Sequence, residues 1–132
     1  MPIKGIRDYT IKCTGDVAQG DEILFTEMVW GGSHRRPEAL GERRIAALVV
    51  KDSYGAGKQQ HTFTLLVRGS DGLDRIRRGT TIRRKGRNVY RHGTLRKERD
   101  RQERQDALDE KHQRGATARI AREERRAFEM EI

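Results

Sequence analysis

The chain has 132 residues, room for one domain and little more. It sets 29 lysines and arginines against 20 aspartates and glutamates, a formal charge of +9, and only 33% of its residues are hydrophobic, lean for a core. No run approaches the roughly 20 apolar residues of a membrane span, charged residues interrupt the first 20 positions, and the single Cys13 excludes an internal disulfide or a cysteine-based zinc cluster. A reduced, cytoplasmic setting without membrane contact is expected.

In chain order, Tyr9, Ile11 and Cys13 alternate with Thr10 and Lys12, the period-two pattern of a strand, with Cys13 buried rather than reactive. Thr14–Asp16 and Gly20–Asp21 read as turns. Ile23 to Trp30 is a second strand with Ile23 and Phe25, and Met28 or Trp30, facing a core, and Gly31-Gly32-Ser33 ends it. His34 to Glu42 reads as a loop or a short helical turn after Pro37. Arg44–Lys51 and His61–Arg68 form the clearest unit, a β-hairpin. Ile45, Ala47 and Val49 line one face beside Phe63, Leu65 and Val67, and a polar tip spans residues 52–60. Gly69-Ser70-Asp71-Gly72 reads as a turn, and Thr80–Ile82 and Asn88–Tyr90 as two short strands paired across Lys85-Gly86-Arg87.

After Gly93 the pattern changes. Thr94 is placed as the N-cap of a helix beginning near Leu95, with no apolar residue from Arg96 to Gln105. Opposite charges fall at helical spacing: Arg99 with Glu103, Asp100 with Arg104, Glu110 with Arg114. Each such pair adds only about 0.2–0.5 kcal/mol. A helix polar all round bridges solvent, docks on a charged partner, or forms only in part alone. Gly115 is expected to interrupt it, and Ala116, Ile120, Ala127 and Glu131 then fall on one stripe. The expected fold is α+β: a small antiparallel sheet or partly closed barrel over residues 1–93, then a charged helical segment over 94–132.

Charge is segregated. Residues 1–66 carry 9 basic and 8 acidic side chains, residues 68–97 carry 11 and 2, and residues 98–132 carry 9 and 10. The net excess therefore sits in one window of 30 residues, from Arg68 to Lys97. Arginine dominates there, and its planar guanidinium forks onto phosphate and stacks on bases. The candidate nucleic-acid contacts are Arg75, Arg77, Arg78, Arg83, Arg84, Lys85, Arg87, Arg91, Arg96 and Lys97. Asn88 is a candidate to read a base edge, Tyr90 to stack a base, and Lys58 at the hairpin tip to touch the backbone. A register that turns Arg84 inward is uncomfortable and calls for a bulge near Lys85-Gly86.

Other chemistries find little support. Gly55-Ala56-Gly57-Lys58 lacks the first glycine and the Ser/Thr of a phosphate loop, and a strand follows it. His34, His61, His92 and His112 show no metal-ligand spacing, and no catalytic residue, metal or cofactor is assigned. Gly20–Phe25 resembles the turn-strand opening of small barrels, some of which bind RNA. Size and composition resemble small proteins of phages and mobile elements.

The leading expectation is a non-catalytic nucleic-acid-binding protein, RNA ahead of DNA. The alternatives are an adaptor or inhibitor docking on a larger nucleoprotein complex through the 94–132 helix, such as a phage-encoded, anti-CRISPR-like inhibitor of host defence, and a nucleic-acid-processing enzyme. The ten acids of residues 98–132 threaten the first reading, because a helix folded back over the arginines would neutralise them.

Overall fold

Period-two alternation builds the sheet. The computed structural model describes residues 3–55 and 60–131. Its strands are β1 (Tyr9–Cys13), β2 (Glu22–Gly32), β3 (Pro37–Gly55), β4 (Gln60–Gly72), β5 (Thr81–Lys85) and β6 (Thr94–Lys97). They form one antiparallel sheet in the order β1-β6-β2-β3-β4-β5. The edge strands β1 and β5 share no ladder, so the sheet is open rather than a closed barrel. A short helix α1 (Gly86–Tyr90) follows β5, and a long helix α2 (Arg101–Glu131) follows β6. The fold is α+β.

The hairpin core is the one legible in sequence. Ile45, Ala47 and Val49 of β3 and Phe63, Leu65 and Val67 of β4 are all buried in one cluster with Ile23 and Phe25. Full burial of each larger side chain among them contributes about 1.5–3 kcal/mol, which makes this row the chief tie between the central strands. Val17 and Val89 close the cluster from above. On the reverse face Ile3, Tyr9, Leu24 and Ala46 form a smaller cluster. Cys13 is buried as expected, and burial pushes its thiol up to about 11, so it stays protonated near neutral pH.

Several local assignments differ. The segment after Pro37 is strand, not loop: β2 and β3 pair out to Gly32↔Pro37, turning through Ser33–Arg36. Gly32 has φ +77, and a Cβ there would lie 2.5 Å from the Arg36 carbonyl oxygen, so the turn requires glycine. Residues 52–55 and 69–72 are also strand rather than tip and turn. Ser70 Oγ donates to the Arg44 carbonyl and Asp71 pairs with Arg44, so cross-strand bonding overrides turn composition. Asn88–Tyr90 lies in α1, not in a strand. Thr94–Lys97 is strand β6, inserted between β1 and β2, rather than the start of a helix.

The helix begins instead at Arg101, where Asp100 is the N-cap. Its Oδ1 accepts from the Glu103 N–H at 2.9 Å. It runs unbroken through Gly115. Beyond that point Ile120 is 55% exposed.

The charge pairing of α2 is the opposite of the feared arrangement. Cations on it and just before it dock on acids of the sheet and its loops. Asp21 is fully buried. Its Oδ1 accepts from Arg99 at 3.0 Å and from Arg104 Nε at 3.2 Å, and its Oδ2 accepts from the Ala18 N–H at 2.9 Å. Arg104 also donates to the Asp16 carbonyl at 2.8 Å. About two and three turns on, Lys111 donates to the Val17 carbonyl, and Arg114 lies 3.4 Å from the buried Asp52. The spacing 104, 111, 114 is one helical face. The pairs expected within the helix give way to these contacts. Among the described residues, no acid from Glu98 to Glu110 pairs with a cation of the 68–97 window.

Candidate functional site

The loop from Leu73 to Thr80 is held at both ends. The Leu73 N–H donates to the Glu42 carbonyl, Arg43 donates to the Asp74 carbonyl, and Val67 and Gly79 bond across to Thr80 and Val67. Ile76 packs against the main core in the middle. An apolar residue pinned between charged neighbours leaves those neighbours outside, and Arg75, Arg77 and Arg78 are all exposed. With Lys4 and Arg68 they line a cleft of about 500 Å³ whose other walls are Gly69, Ser70 and Ile76. Five cations and no carboxylate line this concavity. Among the described residues Arg68 alone of the five has an acidic neighbour, Glu22 at 3.7 Å.

β5 continues the same edge. Arg83 stands opposite Thr64, which stands opposite Lys51; Lys85 stands opposite Thr62, which stands opposite Ser53. Directly opposed residues of antiparallel strands share a face, so Lys51, Arg83 and Lys85 lie on the face away from Phe63 and Leu65, and all three are exposed. α1 then buries Gly86 and Val89 and leaves Arg87 and Asn88 exposed, with Arg91 just beyond. Arg75, Arg77, Arg78, Arg83, Lys85, Arg87 and Arg91 make no ion pair among the described residues.

The remaining candidates do other work. Tyr90 is no stacking platform: its ring lies edge-on to Phe63 at 6.3 Å, and its hydroxyl accepts from the Val17 N–H at 2.9 Å. Arg96 is half-buried, with its Nε enclosed. Lys97 pairs with Glu22 at 3.3 Å and sits over the Tyr9 ring. His61, at the hairpin end, lies 2.7 Å from Asp52. Lys58 and residues 56–59 around it lie outside the described residues.

Arg84 does turn inward, as its alternation requires, but a carboxylate rather than a bulge accommodates it. Its Nε donates to Glu27 at 2.7 Å, and Arg43 donates to the same carboxylate at 2.8 Å. Burial alone would raise the Glu27 carboxyl, yet the hydrogen bonds from Arg84 and Arg43 prevail and hold it below the usual carboxylate range. A carboxyl depressed in the folded state contributes stability that is complete above its unfolded value and lost as pH falls through the folded one. Below about pH 4.5, the unfolding midpoint of the wild type should therefore fall more steeply with pH than that of Glu27→Gln. Parallel pH profiles from urea titrations would contradict this.

The same cluster floors a second cleft, of about 450 Å³, lined by Glu27, Met28, Trp30, Arg43, Arg84, Asn88, Arg91 and His92. Trp30 was expected to be a core candidate and is 58% exposed. It follows a register shift in β2–β3, where the ladder steps from Val29↔Gly41 to Trp30↔Ala39. Strict alternation cannot be carried past such a shift. Lys4, Lys51 and Trp30 are the residues that sequence reading left out of the site. Only cross-strand register or tertiary approach places them there.

A family model matches residues 13–99, which takes in β2 to β6, the 73–80 loop and α1. The chain belongs to the family described as Domain of unknown function (DUF7699). It is also similar to Zinc finger CCCH domain-containing protein 62 of Oryza sativa subsp. japonica, at 36% identity over 126 residues. That stretch is 91% of this chain and 18% of the relative, so the chain spans under a fifth of the relative's length. With Cys13 as its one cysteine, this chain lacks the three that a CCCH finger needs. No solved structure matches it. No described helix is long and apolar enough to cross a membrane.

Proposed function

We propose that this DUF7699 protein is a non-catalytic nucleic-acid-binding protein whose cationic sheet edge holds the phosphate backbone. The observation that carries the reading is the cleft of Lys4, Arg68, Arg75, Arg77 and Arg78, which has no acidic wall. Concentrating like charge on one concave surface is unfavourable for the folded protein alone, and it is relieved when an anion arrives. The exposed Arg83, Lys85, Arg87 and Arg91 extend that surface along β5 and α1, to the length of a polymer rather than of one phosphate. The docking of Arg99, Arg104 and Arg114 on acids of the sheet and its loops supports the reading further, because among the described residues the acids from Glu98 to Glu110 pair with no cation of this edge. Similarity to part of a longer protein named for a zinc finger fits an accessory binding module, with any finger supplied outside the matched region.

The test is salt dependence. Labelled RNA and DNA oligonucleotides are titrated with the whole protein from about 50 to 500 mM salt. If about six phosphates are neutralised, log K falls against log salt with a slope of roughly −4 to −5. Absence of binding at low salt, or a flat dependence, would overturn the proposal.

A further inference from the structure

The cationic cleft explains attraction to phosphate but gives no role to the largest exposed aromatic side chain on the molecule. Trp30 stands beside a floor made by one carboxylate and two guanidiniums: Glu27 bonded to Arg43 and Arg84. Those three groups leave one net positive charge, and Arg91 adds another at the rim. Asn88 and His92 supply hydrogen-bonding groups, and Asn88 and Arg91 are exposed. We infer that this cleft is a subsite for an unpaired nucleobase, stacked on Trp30, with its phosphate toward Arg91 and its edge toward Asn88. The inference rests on the nucleic-acid reading above and adds a preference for single strands.

Three features select this ligand chemistry. An indole more than half exposed at the lip of a cleft leaves apolar surface in water that a planar ring would cover. The surrounding cations argue against a greasy peptide, because burying them under apolar side chains would strip their hydration with nothing in return. A nucleotide brings both a π-face and an anion. Stacking also requires a base free of its duplex partner, since paired bases present only their edges in the grooves. Chain order adds continuity. Along β5, Arg83 and Lys85 extend the cationic edge on one face, while Arg84, between them in sequence, turns to the other face and floors this cleft.

Trp30 is the only tryptophan, so intrinsic emission reports on this cleft alone. The experiment uses the whole protein and two readouts: anisotropy of a labelled oligonucleotide for binding, and tryptophan emission for stacking. The probes are a single-stranded oligonucleotide, a duplex of the same length, and an abasic strand that keeps the phosphates without bases. The single strand should quench Trp30 on binding, whereas the duplex and the abasic strand bind without quenching. Trp30→Ala should weaken the single strand by roughly 5- to 150-fold, the loss of one stacked base at about 1–3 kcal/mol. It should change duplex and abasic affinity by less than about twofold, and Trp30→Phe should recover most of the loss. Saturating single strand without quenching, or equal losses for all three probes, overturns the inference while leaving the nucleic-acid reading in place. No anisotropy change with any probe overturns both. Circular dichroism of each variant checks the fold, which an exposed side chain should not disturb.

Discussion

Replacing Asp21 with alanine is expected to cost about 3–5 kcal/mol of folding stability, the range seen when one partner of a buried ion pair is removed. The carboxylate has no exposed surface and satisfies three donors at once: Arg99, Arg104 and the Ala18 N–H. Its loss leaves Arg104, itself buried, with only the half-exposed Asp16 as an acidic partner and frees a buried backbone donor. With a urea m-value of about 2 kcal/mol/M, the midpoint should fall by roughly 2 M. Asp16→Ala is the matched control. Asp16 is 43% exposed on its side chain and also pairs with Arg104, but Arg104 keeps the Asp16 carbonyl in that variant. A pair whose carboxylate stays this open to water is worth about 1 kcal/mol, near the exposed end of the range. If the two variants lose the same stability, burial of Asp21 is not what fixes α2 to the sheet.

This contact also shows where sequence reading stops. The apolar alternation of Ile45–Val49 and Phe63–Val67 carries its own geometry, because period two on a sheet leaves one face inside. The charges of α2 carry none. Arg99, Arg104 and Arg114 each have an acid four residues away and so read as helix pairs. Asp16, Asp21 and Asp52 lie in segments that read as turns, where aspartate is common for local reasons. Nothing local says that buried acids will outbid the exposed ones. The result is decided by burial: a carboxylate out of water gains far more from a guanidinium than one left in it.

Strand ends were illegible for a related reason. Pro37–Glu42 and Gly69–Gly72 have the composition of loops, yet each is zipped to its neighbouring strand. The site inherits this pattern. The exposed arginines of residues 75–91 were legible because they cluster along the chain. Lys4 and Lys51 join them only through tertiary approach and cross-strand register. Tyr90 illustrates the converse: an aromatic in a basic run, chosen by composition, whose neighbours Phe63 and Val17 are far away in sequence. Among the described residues, the aromatic left in solvent is Trp30, 60 positions earlier.

Whether the cationic cleft acts as a site, and not merely as a share of the net charge, is decided by a charge-matched comparison. Arg75→Ala, Arg77→Ala and Arg78→Ala together should reduce the salt slope by about 2 to 3, since each neutralised phosphate contributes about 0.7 on single strands and 0.9 on duplex. The same slope implies a loss on the order of 100-fold in affinity at 0.1 M salt, shrinking toward none near 1 M. The side chains are exposed and make no ion pair among the described residues, so stability should change little. Arg101→Ala, Arg119→Ala and Arg125→Ala remove the same charge from exposed positions of α2. A polymer attracted only by overall charge would respond to both triples alike. A polymer seated in the cleft responds to the first triple and nearly ignores the second, because beyond a Debye length of about 8–10 Å distant charges are screened. Equal losses in the two triples would return the +9 charge to a general property of the surface and withdraw the cleft as its focus.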